Sequence, residues 1–193
     1  MSETTHSERL EAARRRASHT NRGKALEQLL DLVHKRYARA GHYVQRNGVP
    51  FVPMRGRPVN GKPVGTIGPE APPDYLALSQ GRAILFDAKS TLDSTWSFGL
   101  LERHQARSLD AWAEAGGIAG LVIAVDHMRV IGWVPWSELG PRWWAWHSNP
   151  GVAKRGTASL TADEVGRYAC HGGDWMPWAL SLSPVTTPHA KRA

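Results

Sequence analysis

Apolar positions recur along this chain with two different periods, and the changes between them divide it into elements. Leu26, Leu29, Leu30, Val33 and Tyr37 fall at helical spacing between Asn21, a good N-cap, and Gly41, which ends the segment. They predict an amphipathic helix. His42 to Val52 reads as a first strand. Tyr75 to Leu78 and Ala83 to Phe86 are short apolar runs separated by Ser-Gln-Gly-Arg, where glycine tolerates positive φ, and they predict an antiparallel hairpin. Leu100 to Ala115 reads as a second helix, with Leu101, Leu109 and Trp112 inward and Gly116-Gly117 as its stop. Gly120 to Val125 and Arg129 to Val134 are β-rich runs joined by Asp126-His127-Met128, a strand pair that completes a central sheet. Thr161-Ala162-Asp163-Glu164 has the form of a capping box opening a short helix to Ala169.

Three stretches carry neither period. Residues 1–20 are polar, contain Arg14-Arg15-Arg16 and read as a mobile basic tail able to touch phosphates. Residues 181–193 read as a loose C-terminal tail. Pro53 to Pro72 is rich in proline and glycine and holds Arg55, Arg57 and Lys62. An excursion of that length inside a compact domain is either functional or disordered. The remainder, 21–180, is long enough for one domain with a real core, since 41% of the 193 residues are hydrophobic. Seven of the nine tryptophans lie from Trp133 onward, including Trp143-Trp144-Ala145-Trp146. Core packing, base stacking and subunit contact all use such a cluster, and the pattern leaves the three open.

Composition narrows the function classes. A single cysteine, Cys170, excludes a disulfide framework within the chain and a cysteine-rich zinc site, and the nine histidines lack paired ligand spacing. The longest apolar run, Leu121 to Val125, is far shorter than a membrane span, and the N-terminus lacks a signal-type apolar block. A cytoplasmic protein without a membrane partner is expected. The net charge of +7 is uneven: residues 1–62 hold 13 Lys or Arg against 5 acids, whereas residues 63–193 hold 11 against 12. A local basic surface of this kind fits a polyanion, and nucleic acid ahead of membrane because no amphipathic anchor accompanies the arginines.

The chemistry gathers in Pro73 to Lys89. A turn centred on Gln80 and Gly81 sets Asp74 directly opposite Asp87, with Lys89 two residues further on the same face. Cross-strand neighbours stand about 4.5 to 5.5 Å apart. Two carboxylates so placed repel each other unless a cation lies between them, and hard divalent ions take oxygen ligands of this kind. The arrangement suggests a magnesium site beside a lysine.

Pro73-Asp74 followed by Asp87-Ala88-Lys89 resembles the PD-(D/E)XK signature of the restriction-endonuclease-like nucleases. With Asn21-Arg22-Gly23-Lys24 opening a helix that carries Leu26-Glu27, and with His104-Gln105 in a later helix, the order and spacing resemble the RecU-type Holliday-junction resolvases from Asn21 to Trp136. The resemblance implies an α/β fold of the restriction-endonuclease-like class, a mixed sheet flanked by helices with a projecting basic stalk at about 53–72. It implies that Asp74, Asp87 and Glu27 hold Mg²⁺, with Mn²⁺ as a substitute, and that Lys89 shares the catalytic work. Arg22, Lys24, Arg55, Arg57, Lys62, His104 and Gln105 become the expected DNA contacts. Asp87 stands where many RecU-type sequences have glutamate, a shorter carboxylate that leaves the ligand count open. The implied partner is a four-way junction and the implied assembly a homodimer. The rivals are a flap, nick or restriction endonuclease of the same fold, and an inactive junction-binding protein.

Overall fold

The computed structural model describes residues 23–48, 51–53, 65–67, 71–126, 129–149 and 158–182. The first helix, α1, runs over 23–39 and buries Leu26, Leu30, Val33 and Tyr37, the stripe that the helical spacing predicts. Strand β1 is shorter than expected, Tyr43–Arg46. Phe51–Pro53 (β2) leaves the main sheet and pairs antiparallel with Gly65–Ile67 (β3), so the expected strand to Val52 is two separate pieces. This ribbon closes the proline- and glycine-rich excursion. Arg55, Arg57 and Lys62, like Arg22 and both tails beyond residue 182 and before residue 23, lie outside the described residues.

The hairpin forms as read: Tyr75–Ser79 (β4) pairs with Arg82–Thr91 (β5) from Tyr75↔Phe86 to Ser79↔Arg82. Gln80 (φ 52°) and Gly81 (φ 73°) both take positive φ, the tight turn whose twist matches that of the flanking strands. Thr95–Ser97 (β6) pairs with Ser159–Thr161 (β9) apart from the main sheet. Helix α2, Arg103–Glu114, then crosses to Ile118–Val125 (β7), which lies parallel to β5, and Val130–Pro135 (β8) returns antiparallel. The sheet order is β1-β4-β5-β7-β8, a mixed sheet. Every residue of β7 is buried, as expected for an apolar run covered on both faces.

Two cores result. On one face, Leu85, Leu121, Ile123 and Val134 pack under Ala106 and Leu109 of α2 and under α3, Trp136–Ser148. On the other, Tyr75, Phe86, Val122 and Trp133 pack under α1 and under α5, Met176–Leu182. The capping box is present at Thr161, but its helix, α4, stops at Gly166.

The tryptophans answer the open question in favour of packing. Trp96, Trp133, Trp143 and Trp175 are fully buried and Trp136 nearly so. The other four are partly buried. Small residues make the room: a Cβ on Gly120 would lie 2.5 Å from the Trp133 ring, and one on Gly140 2.9 Å from the Trp136 ring. Trp136, Leu139, Gly140 and Trp143 are buried at i, i+3, i+4 and i+7 of α3, so the helix persists through Pro141, which points outward. The indole N–H groups of Trp136 and Trp144 donate to Asp110 Oδ1 and Oδ2 at 2.7 and 2.6 Å, tying α3 to α2. On the opposite face, Trp175 donates to His34 at 3.2 Å, the Met176 N–H donates to the Tyr37 hydroxyl at 3.0 Å, and that hydroxyl donates to Asp174. The C-terminal segment is thereby fastened to α1.

Asp110→Ala strands two indole donors at once. It should lower the urea-unfolding free energy by about 1.5–3 kcal/mol, the range for lost hydrogen bonds to a charged group. Asp110→Asn should fall between that variant and the wild type.

Candidate active site

The strand register that buries Tyr75 and Phe86 on the α1 face turns Asp74, Asp87 and Lys89 to the α2 face. Asp87 is fully buried and Asp74 half-buried. Each carboxylate is fixed by the backbone across from it: the Asp74 N–H donates to Asp87 Oδ1 at 3.1 Å, and the Ala88 N–H donates to Asp74 Oδ2 at 3.0 Å. The same end of β4 is tied to β1, with Asn47 N–H donating to the Asp74 carbonyl at 2.7 Å and its side chain to the Pro73 carbonyl at 2.6 Å. Lys89 Nζ stands 2.7 Å from Asp87 Oδ2, off the hydrogen-bonding direction, so that oxygen is ion-paired and yet accepts no aligned hydrogen bond.

Electrostatics follow from this crowding. Burial, and then the hydrogen bond and charge of Asp87, push Asp74 up to about 7, against the opposing pull of the Ala88 N–H and Lys89. Two converging carboxylates, one with a buried oxygen outside any aligned hydrogen bond, are a donor set suited to a hard divalent cation.

The other expected residues fall around this centre. Glu27 Oε2 is ion-paired with Arg46 Nη2 at 2.8 Å, with 36% and 48% of the two side chains exposed. Among the described residues no three carboxylate, histidine or cysteine side chains are grouped to hold a metal, so Glu27 does not join the two aspartates here. Lys24 is exposed at the start of α1. His104 Nδ1 lies 3.2 Å from Glu102. Gln105 is buried, and its Oε1 accepts from Lys89 Nζ and from the Glu102 N–H, each at 3.1 Å.

A family model described as Recombination protein U matches residues 21–169, which include this whole constellation. The chain belongs to the RecU family. It is a Holliday-junction-resolving nuclease with a mixed α/β fold, a five-stranded sheet flanked by helices. The match ends at Ala169, well past Trp136, so the RecU assignment takes in α3 with its tryptophans and α4. Among solved structures, the RecU chain is similar to the Holliday junction resolvase Hjc of Archaeoglobus fulgidus. That likeness has 10% identity and a TM-score of 0.43, covering 76% of this chain and 96% of that one. No curated protein matches it.

Arg46 and Asn47 were not among the residues expected at the site. Asn47 anchors the Pro73-Asp74 backbone, and Arg46 holds Glu27. Neither is marked in the sequence, where both fall inside the strand expected to run from His42 to Val52.

A carboxyl whose pKa is raised by folding contributes stability that is complete below its unfolded pKa and is lost as pH rises through the folded value, here from about 4 to about 7. Without divalent ions the wild type should therefore lose stability across that window. Asp74→Asn, which keeps an acceptor for the Ala88 N–H, removes the repulsion. In EDTA it should melt above the wild type at pH 8 and match it at pH 5, by thermal denaturation at both values.

Proposed function

We propose that Asp74, Asp87 and Lys89 carry the junction-resolving hydrolysis and that Mg²⁺ is required, with Mn²⁺ able to replace it. The observation that carries this is the reciprocal Asp74–Asp87 pairing with Lys89 Nζ 2.7 Å away, in a chain of the RecU family. Asp74 and Asp87 hold the ion, and Glu27 assists directly or through water. Bound there, the ion polarises the scissile phosphate and lowers the pKa of the attacking water.

The chain's own groups supply the rest. The backbone bonds to both carboxylates hold them converged without an ion, so little reorganisation is needed at the moment of reaction. Lys89, with 19% of its side chain exposed, keeps its ammonium beside them and offsets charge that builds on the phosphate or orients the water. Lys24 at the start of α1 and His104 at the start of α2, together with Arg22, contact the DNA backbone.

A centre of this kind hydrolyses a phosphodiester wherever it is presented, so preference for a four-way junction belongs to parts that sense branched shape. The basic excursion between β2 and β3 is that part in this reading, with Arg55, Arg57 and Lys62 among converging phosphates. A homodimer presents two such centres to opposing strands and incises both symmetrically.

Asp74→Asn or Asp87→Asn should abolish cleavage of a synthetic four-way junction while junction binding stays equal or tightens, because a negative charge facing DNA is removed. Gel cleavage and gel-shift assays on the same preparations separate the two. Near-normal turnover at saturating Mg²⁺ would make these residues ordinary hairpin charges.

The stalk assignment has its own check. Replacing residues 55–68 with a short glycine-serine turn should erase the preference for junction over linear duplex and spare the fold. The salt dependence of junction binding should shrink with it, since roughly one counterion is released per phosphate neutralised. Unchanged selectivity in a folded variant would instead favour a flap or restriction-type substrate.

A further inference from the structure

A lysine side chain has four rotatable carbons, and an ammonium that must sit at one point of a reaction centre needs something to hold it there. Asp87 supplies one contact for Lys89. The second comes from across the interface between sheet and helix, at Gln105 Oε1, 3.1 Å from Nζ. Gln105 is the third residue of α2, and the same oxygen accepts from the backbone N–H of the N-cap residue Glu102, closing a capping box. Both neighbours of that oxygen can only donate. A flipped amide would set its NH₂ against two further donors, so the carbonyl orientation is forced. Gln105 is 8% exposed, and both lone pairs of its oxygen are committed inside the protein.

We infer that Gln105 is a positioning residue: it fixes the Lys89 ammonium relative to the two carboxylates and couples it to the first turn of α2. This rests on the assignment of Lys89 to the chemical step, and it replaces the DNA contact that the sequence leads one to expect of Gln105. The ammonium has three donors. Gln105 accepts from one of them, while Asp87 holds the ammonium by charge without an aligned bond, which leaves the other donors for phosphate or water. Without Gln105 the ammonium keeps its charge and its attraction to Asp87 but loses the direction in which its remaining donors point. The loss should fall on the rate of chemistry and leave junction affinity unchanged.

The experiment is a double-mutant cycle read by single-turnover cleavage of a synthetic four-way junction with Mg²⁺ and saturating protein, with junction binding measured separately in EDTA. Gln105→Met, close in size but without the acceptor, should slow cleavage about five- to thirtyfold, which corresponds to a coupling of about 1–2 kcal/mol. Its dissociation constant for the junction should stay within about twofold of wild type, since no phosphate contact is removed. Gln105→Glu, which keeps acceptor oxygens, should recover part of the rate. In the Lys89→Ala background, Gln105→Met should cost nothing further. A Gln105→Met variant that weakens junction binding as much as it slows cleavage would overturn the inference, as would an effect that persists in full without Lys89. If Gln105→Met does not fold by circular dichroism, Gln105→Asn, which keeps the amide but falls short of Lys89, makes the same comparison. The two readings fail differently. Wild-type rates in Lys89→Ala would remove the role of Lys89 itself, whereas a slow Lys89→Ala beside a wild-type-like Gln105→Met would remove only the positioning role.

Discussion

Two carboxylates held against each other at the end of a hairpin are the constraint around which this protein is built. Asp87 is fully buried, and Asp74 is pushed up to about 7 by burial and by its partner. Such a pair is unfavourable unless the surrounding backbone insists on it. Here it does: each carboxylate accepts a backbone N–H from the opposite strand, so separating the charges would also break the end of the β4–β5 pairing. The strain cannot relax by sliding, because a one-residue slip would send Tyr75 and Phe86 to the wrong face.

The central sheet resists that slip through its neighbours. Strand β5 is paired along eight positions with β7, itself buried throughout. Stacked rings of Tyr75 and Phe86, 4.9 Å apart, continue into Trp175 and Trp133 and bind the α1 face into one aromatic layer. On the other face the shared carboxylate of Asp110 joins α2 to α3, which holds the first turn of α2 at a fixed distance from Lys89. The tryptophan-rich region is thus the support of the paired carboxylates and Lys89, and its rings are occupied in packing.

Charge is arranged in a complementary way. The excess of Lys and Arg lies in the first third of the chain, whereas the carboxylates of the centre lie just after it. Under the proposed function, a polyanion is attracted to the first and processed at the second. Glu27 and Arg46 mark the boundary, each neutralising the other at 2.8 Å on the half-exposed rim between α1 and β1.

Much of this was legible in the amino-acid sequence because local rules govern it. The alternation around Gln80-Gly81 and the turn geometry those residues accept set the register, and the register alone places Asp74 against Asp87. The stripe Leu26, Leu30, Val33 and Tyr37 gave α1, the apolar run of β7 the buried central strand, and Thr161 with Glu164 the α4 cap. Tertiary structure decided what period and propensity do not encode, which is the partner each polar side chain meets. It turned Gln105 inward to Lys89, gave Glu27 to Arg46, ended β1 at Arg46 so that Asn47 could hold Pro73 and Asp74, and carried α3 past Pro141 because three large side chains and a glycine share its buried face. The polar contacts among these join residues between 16 and 27 positions apart, as in Lys89 with Gln105 and Asn47 with Asp74, and only the packing of strand against strand and sheet against helix brings them within reach.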